Sequence, residues 1–249
     1  MREQFARTEM LFGAEAMEKL KNAKVAIFGI GGVGGYVAEA LARSGIGKLE
    51  LIDNDTVSES NINRQIIALH STVGEYKVDV AKKRIYDICP DIEVKANKCF
   101  FLPETANEFD FTQYDYVIDA IDTVSGKIEL ALQAQKSGVK IISSMGTGNK
   151  LDPTQLKVAD IYDTKVCPLA RVMRTQLRKR GIESLKVVYS EEEPIKPYKN
   201  PSSEEETKAD CETKPRRDIP ASNAFVPSVA GLIIAGEVIK DITGISAKR

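Results

Sequence analysis

Three groups of residues in this 249-residue chain are spaced for chemistry on phosphate. Gly29, Gly31 and Gly34 fit the pattern G-x-G-x-x-G, with Gly32 inside it. Glycines at that spacing allow a tight turn and bring backbone N–H groups close to phosphate oxygens. Asp53 ends the next apolar run, where an acidic side chain accepts hydrogen bonds from ribose hydroxyls. The third group is Asn61 and Arg64, on what reads as one helical turn, followed by Lys77. The glycines and Asp53 alone specify a nucleotide, with a nicotinamide dinucleotide as the default. A diphosphate, however, is largely neutralised by the glycine loop. An added Arg and Lys suit a triphosphate that is cleaved, where cations stabilise charge on the α-phosphate and on departing pyrophosphate. Asp119 and Asp122 of the run DAID follow later, and Asp122 offers carboxylate oxygen to Mg²⁺.

Residues so far apart in the chain need a frame that gathers them. KVAIFG reads as a buried strand, VGGYVAEALARSG as a helix stopped at Gly45, and KLELID as a second strand. Residues 74–89 read as a helix, IEVKANK and DYVIDAID as strands, 125–138 as a helix, and VKIISSMGTG as a further strand. This alternation predicts an α/β, Rossmann-like fold: a mostly parallel sheet with helices on both faces. A helical lead-in covers 4–22. Beyond Gly148 come a strand (QLKVADIY), a basic helix (PLARVMRTQLRKRG) and another strand (LKVVYS). Residues 191–218 are polar and proline-bearing and predict a mobile loop; 225–242 are apolar nearly all round and predict a helix buried in the core or in a subunit interface. The chain therefore reads as a single domain over 1–249, with a nucleotide-binding core at about 22–150 and a substrate and dimer region at about 151–249.

The basic helix offers Arg171, Arg174, Arg178, Lys179 and Arg180, with Lys165 and Lys186 nearby. Positions 171, 174 and 178 share a helical face that can follow a nucleic-acid backbone or simply meet solvent. A net charge of −1 excludes a protein whose whole surface binds nucleic acid. The four cysteines contain no C-x-x-C pair, so no zinc site is expected, and a reduced cytoplasmic setting fits best. Apolar residues 224–239 are interrupted by Pro227 and Glu237, which argues against a bilayer span.

GIGGVG, LIDNDTVSESNINRQ, VGEYK and VIDAID together resemble the ubiquitin-activating superfamily, whose bacterial members adenylate carboxylates. That resemblance implies ATP above the sheet edge. It puts Gly32 by the phosphates, Asp53 on the ribose, Asn61, Arg64 and Lys77 on the phosphate chain, and Asp122 on Mg²⁺. It also implies a homodimer in which Arg7 reaches the ATP of the other subunit. Within the superfamily, GNKLDPTQLKVADIYDT and CPLAR are similar to the tRNA threonylcarbamoyladenosine dehydratases. That branch activates the carboxylate of a modified tRNA base as an acyl adenylate, and the side chain then closes to a ring with loss of AMP. The alternative is an adenylyltransferase acting on the C-terminus of a ubiquitin-like sulfur carrier. Some members of the branch carry a cysteine shortly before the last apolar helix. RRDIPASNAFVP has none, so a sulfur relay through that thiol, and any sulfur-transfer partner, is left open, as is a monovalent cation site. Cys167 and Cys211 read as structural or loop cysteines.

Overall fold

The computed structural model describes residues 3–198 and 220–245. The lead-in is two helices, α1 (Ala6–Phe12) and α2 (Ala14–Asn22), broken at Gly13, whose φ of 86° is a left-handed value that a β-carbon disfavours. Then β1 (Lys24–Phe28), α3 (Gly34–Arg43), β2 (Lys48–Ile52), α4 (Lys77–Ile88) and β3 (Glu93–Asn97) alternate along the chain. They are followed by β4 (Tyr116–Asp119), α5 (Val124–Ser137), β5 (Lys140–Ser144), β6 (Leu156–Asp160), α6 (Pro168–Arg178), β7 (Lys186–Ser190) and α7 (Val226–Thr243).

The seven strands form one sheet in the order β3-β2-β1-β4-β5-β7-β6. All neighbours are parallel except β6, which runs antiparallel to β7 at the edge. Residues 25–28 of β1 are fully buried, as a central parallel strand with helices on both faces must be. One large core joins β1, β2 and β4 to α2, α3, α4 and α7. On the opposite face Phe28 meets Phe101, Phe109 and Phe111, with ring centroids 4.8 to 5.9 Å apart, and α5 and α6 cover β5 and β7. The chain leaves β1 towards β2 and leaves β4 towards β5. The carboxyl ends of β1 and β4 therefore flank a topological switch point, where such sheets open a crevice.

The last apolar segment lies in the core: α7 packs on α2 and α3. A β-carbon on Gly231 would stand 2.5 Å from the Val33 carbonyl oxygen, so α7 approaches the start of α3 this closely only with glycine there. The segment expected as a loop at 191–218 leaves β7 at Ser190, and its first residues are tied down. Glu191 N–H donates to the Gln155 carbonyl at 3.1 Å, and the Glu192 carboxylate accepts the N–H groups of Leu151 and Asp152 at 2.8 and 2.9 Å. Residues 199–218 of that expectation, with Cys211, lie outside the described residues. No helix among the described residues is long and apolar enough to cross a membrane.

Candidate active site

A cleft of about 680 Å³ opens along the carboxyl ends of β2, β1, β4 and β5. Its glycines divide by task. Gly29 N–H donates to the Ile52 carbonyl at 2.8 Å, and with φ of 90° a β-carbon there would lie 2.7 Å from the Ala120 carbonyl oxygen. A β-carbon on Gly34 would fall 1.8 Å from the Gly29 carbonyl oxygen, so these two glycines let the turn fold onto the start of α3. Gly31 and Gly32 instead border the cleft: beside Gly31 nothing stands closer than Gln65 Nε2 at 3.8 Å, and Gly32 meets Pro227 of α7 and Arg64. Their backbone is the part of the loop open to a ligand.

Asp53 Oδ2 accepts the Ile30 N–H at 2.7 Å and Oδ1 accepts the Asp55 N–H at 2.8 Å, so the acid also fixes the glycine loop. Burial raises its pKa from the ordinary value, opposed by those two N–H groups and by Lys77. Lys77 is buried at the start of α4, and its ammonium meets Asp55 Oδ2 at 2.7 Å. Asn61 Oδ1 accepts the Ser58 N–H at 3.2 Å. Arg64 is half-buried, its Nη1 donating to the Ser60 carbonyl and to Asn63 Oδ1 at 2.8 and 2.9 Å. Asp122 is exposed in the loop after β4. The structure thus brings Gly29, Gly31, Gly32, Asp53, Asn61, Arg64, Lys77 and Asp122 to one cleft. Arg7 lies exposed on α1 and is not among the residues lining it.

Asp119, paired with Asp122 in the sequence reading, is not available to a ligand. It is wholly buried, its Oδ1 accepting from the Lys127 ammonium at 2.9 Å and its Oδ2 accepting the Ser143 hydroxyl. Lys127 also donates to the Ser144 carbonyl at 2.8 Å, which ties the ends of β4 and β5 together beneath the cleft. Asp119 is the last residue of the apolar strand run and Asp122 lies three residues on in the loop, so the two carboxylates sit in different surroundings.

Gln65 was also missed. Its side chain is 6% exposed at the cleft wall, and its Oε1 has no hydrogen-bond partner among the described residues. A buried amide oxygen without a partner is costly, which fits a wall that expects polar ligand groups. Lys150 is a second addition, at 3% exposure, with its neighbour Asn149 in a left-handed conformation. No group of three or more His, Cys, Asp and Glu side chains converges to hold a metal among the described residues. One carboxylate is nevertheless the donor set of a Mg²⁺ that takes its other ligands from phosphate and water, and Asp122 fits that pattern.

The basic helix α6 presents its first turn, with Cys167, Pro168 and Leu169, to the same cleft. Its arginines do not share one free face. Arg174 turns inward and donates to the Thr164 carbonyl at 2.9 Å and to the Thr164 hydroxyl, while the Arg178 guanidinium lies over the Tyr162 ring, 5.2 Å from its centroid. Arg171, Arg178, Lys179 and Arg180 are exposed. Lys186 leaves the group: at the opposite end of the sheet, it pairs with Glu237 at 2.7 Å and Asp241 at 2.9 Å. Spacing along the chain missed both because it shows which residues are neighbours in sequence, not which polar partners the fold brings to them.

The sequence matches the ThiF family over residues 5–249. The chain belongs to the ThiF family. Among ThiF-family relatives, the tRNA threonylcarbamoyladenosine dehydratase of Bacillus subtilis is 48% identical over 243 residues, covering 97% of this chain and 95% of that protein. The adenylyltransferase and sulfurtransferase of Vanderwaltozyma polyspora is 37% identical over 139 residues, 55% of this chain and 31% of that protein. Among solved structures, the ThiF fold seen here superposes on E. coli tRNA N6-threonylcarbamoyladenosine dehydratase in complex with ATP. The TM-score is 0.84 and the identity 31%, covering 98% of this chain and 95% of that one.

Proposed function

We propose that this protein dehydrates threonylcarbamoyladenosine in tRNA to its cyclic form, using ATP. The observation that carries the reading is the convergence of the glycine loop, Asp53, Arg64, Lys77 and Asp122 on one cleft whose far wall is the start of a basic helix. In this reading Asp53 holds the ribose, the Gly31–Gly32 backbone and Asn61 hold the phosphates, and Arg64 and Lys77 bear on the charge that develops as pyrophosphate departs. A carboxylate oxygen of the substrate forms a bond to the α-phosphorus, and the bond to pyrophosphate breaks. A nucleophile within the same side chain then attacks the acyl carbon, AMP leaves with the electron pair of the C–O bond, and a proton is lost, so the net change is one water. Asp122 would hold a Mg²⁺ ion, which would supply charge neutralisation at the phosphates. Arg7 completes the site of the other subunit in a homodimer. Arg171, Arg178, Lys179 and Arg180 follow the tRNA backbone, with Arg174 acting as a brace for α6.

The test is incubation with ATP, Mg²⁺ and tRNA carrying the modified base, then digestion and mass measurement of the nucleoside. Loss of one water, dependent on ATP, is expected. A nucleoside of unchanged mass, together with adenylation of a sulfur-carrier C-terminus, would put the other reading in its place. Changing Arg171, Arg178 and Arg180 together to Glu should weaken tRNA binding and lower its salt dependence.

A further inference from the structure

Among the described residues three lysines line the cleft, Lys77, Lys127 and Lys150, and two of them have a carboxylate partner. Lys77 pairs with Asp55 and Lys127 with Asp119. Lys150 makes no ion pair among the described residues. Its ammonium donates to the Glu192 backbone carbonyl, while the Glu192 carboxylate is occupied by the N–H groups of Leu151 and Asp152. Burial pulls the Lys150 pKa below the ordinary lysine value, only partly offset by Cys167 and Glu192. A buried ammonium without an ion-pair partner is an expensive arrangement, and the fold enforces it. Asn223 Nδ2 donates to the Lys150 carbonyl at 2.6 Å, and Asn149 is bound by Ala221 through its N–H at 2.8 Å and through its Oδ1 at 2.7 Å.

The surroundings add a second positive feature. The 11-residue helix α6 starts on the same wall, and its Cys167 N-cap makes no side-chain cap bond. The first free N–H groups of a helix favour a negative group. Along the sheet edge the order is Asp53 after β2, the glycine loop after β1, Asp122 after β4 and Lys150 beyond β5. Lys150 follows β5, two strands across from the glycine loop on the side away from Asp53. An anion there is not the nucleotide's sugar end but the group brought to it.

We propose that Lys150 and the first turn of α6 form the subsite for the substrate carboxylate, a reading that rests on the tRNA dehydration proposed above. One carboxylate oxygen accepts from the Lys150 ammonium, which leaves the other to bond to the α-phosphorus as pyrophosphate departs. The held oxygen becomes the acyl carbonyl oxygen of the adenylate. As the internal nucleophile adds to that carbonyl carbon, the same ammonium faces the growing negative charge, and it releases the oxygen's charge when AMP leaves.

The experiment compares wild type, Lys150→Met and Lys150→Arg. Three quantities are read: ATP affinity by calorimetry, affinity for the free threonylcarbamoyladenosine nucleoside, and exchange of pyrophosphate into ATP driven by the modified tRNA. Lys150→Met is expected to bind ATP within about two-fold of wild type but to lose roughly ten-fold or more in nucleoside affinity and in kcat/KM for the modified tRNA, the scale of a lost charged hydrogen bond. Lys150→Arg should recover part of both. Unchanged nucleoside affinity in Lys150→Met overturns the subsite, as does a nucleoside that fails to bind wild type. A nucleoside that binds through Lys150 while its tRNA form never loses water leaves the subsite standing and removes the proposed reaction instead.

Discussion

Substituting alanine at Gly34 and, separately, at Gly31 separates the two tasks of the glycine loop. At Gly34 the new methyl would sit 1.8 Å from the Gly29 carbonyl oxygen and 3.3 Å from the Ala120 β-carbon, whereas β-carbons essentially never approach a neighbour within 3.0 Å. Backbone must therefore move by about 1 Å between β1 and α3, and both are core elements; overpacking of this kind costs about 2–3 kcal/mol. For a chain this long that is a fall in Tm of roughly 4–12 °C. At Gly31 the methyl meets nothing closer than the end of the Gln65 side chain at 3.8 Å, so stability should stay within about 0.5 kcal/mol of wild type. The same methyl projects at the cleft border, so ATP affinity should drop about ten-fold or more through loss of close backbone approach to phosphate. Thermal unfolding and calorimetric ATP titration of both variants give the answer. A Gly34→Ala protein as stable as wild type, or a Gly31→Ala protein that melts early yet binds ATP normally, would falsify this division.

Lys127→Met should destabilise the fold by about 3–5 kcal/mol in chemical denaturation, because it leaves the buried Asp119 carboxylate without its partner; a loss below about 1 kcal/mol would show that the pair is not the tie between β4 and β5. Burial by itself would raise the Asp241 carboxyl, but hydrogen bonds from Tyr116 and Lys186 outweigh it and hold the pKa below the ordinary value. A depressed folded-state pKa gives stability that is present above the unfolded value and lost as pH falls through the folded one. Asp241→Asn should therefore lower stability at neutral pH and flatten the loss below about pH 4, measured as Tm against pH; a parallel acid limb in both proteins counts against this. Finally, if Arg7 serves the partner's site, mixing inactive Arg7→Ala and Lys77→Ala subunits should restore about a quarter of wild-type activity through one complete site in half of the dimers. No recovery after subunit exchange would place Arg7 elsewhere.

Most of the frame was legible in the sequence because its strands end in glycine or acidic loops and its helices carry clear stops, such as Gly138 with φ of 72°. The cleft was legible for the same reason: in a parallel sheet, strand ends are where loops converge. What stayed hidden depended on partners distant in sequence. Asp119 looks like a ligand until Lys127, at the end of the first turn of the next helix, takes it. Lys186 reads as part of a basic cluster until α7 brings Glu237 and Asp241 to it. Gln65 and Lys150 have ordinary local contexts, and only burial without a matching partner sets them apart.

The approach of α7 to the glycine loop bears on how the protein comes into being. Pro227 stands against Gly32, and Gly231 against Val33, so residues near the end of the chain wall in a cradle whose glycines lie near its beginning. A nascent chain that has emerged only as far as β7 holds the glycine motif without its wall. Closing the cradle thus waits for α7, and a truncation that removes residues 226–243 should yield a protein that is less stable and also blind to ATP.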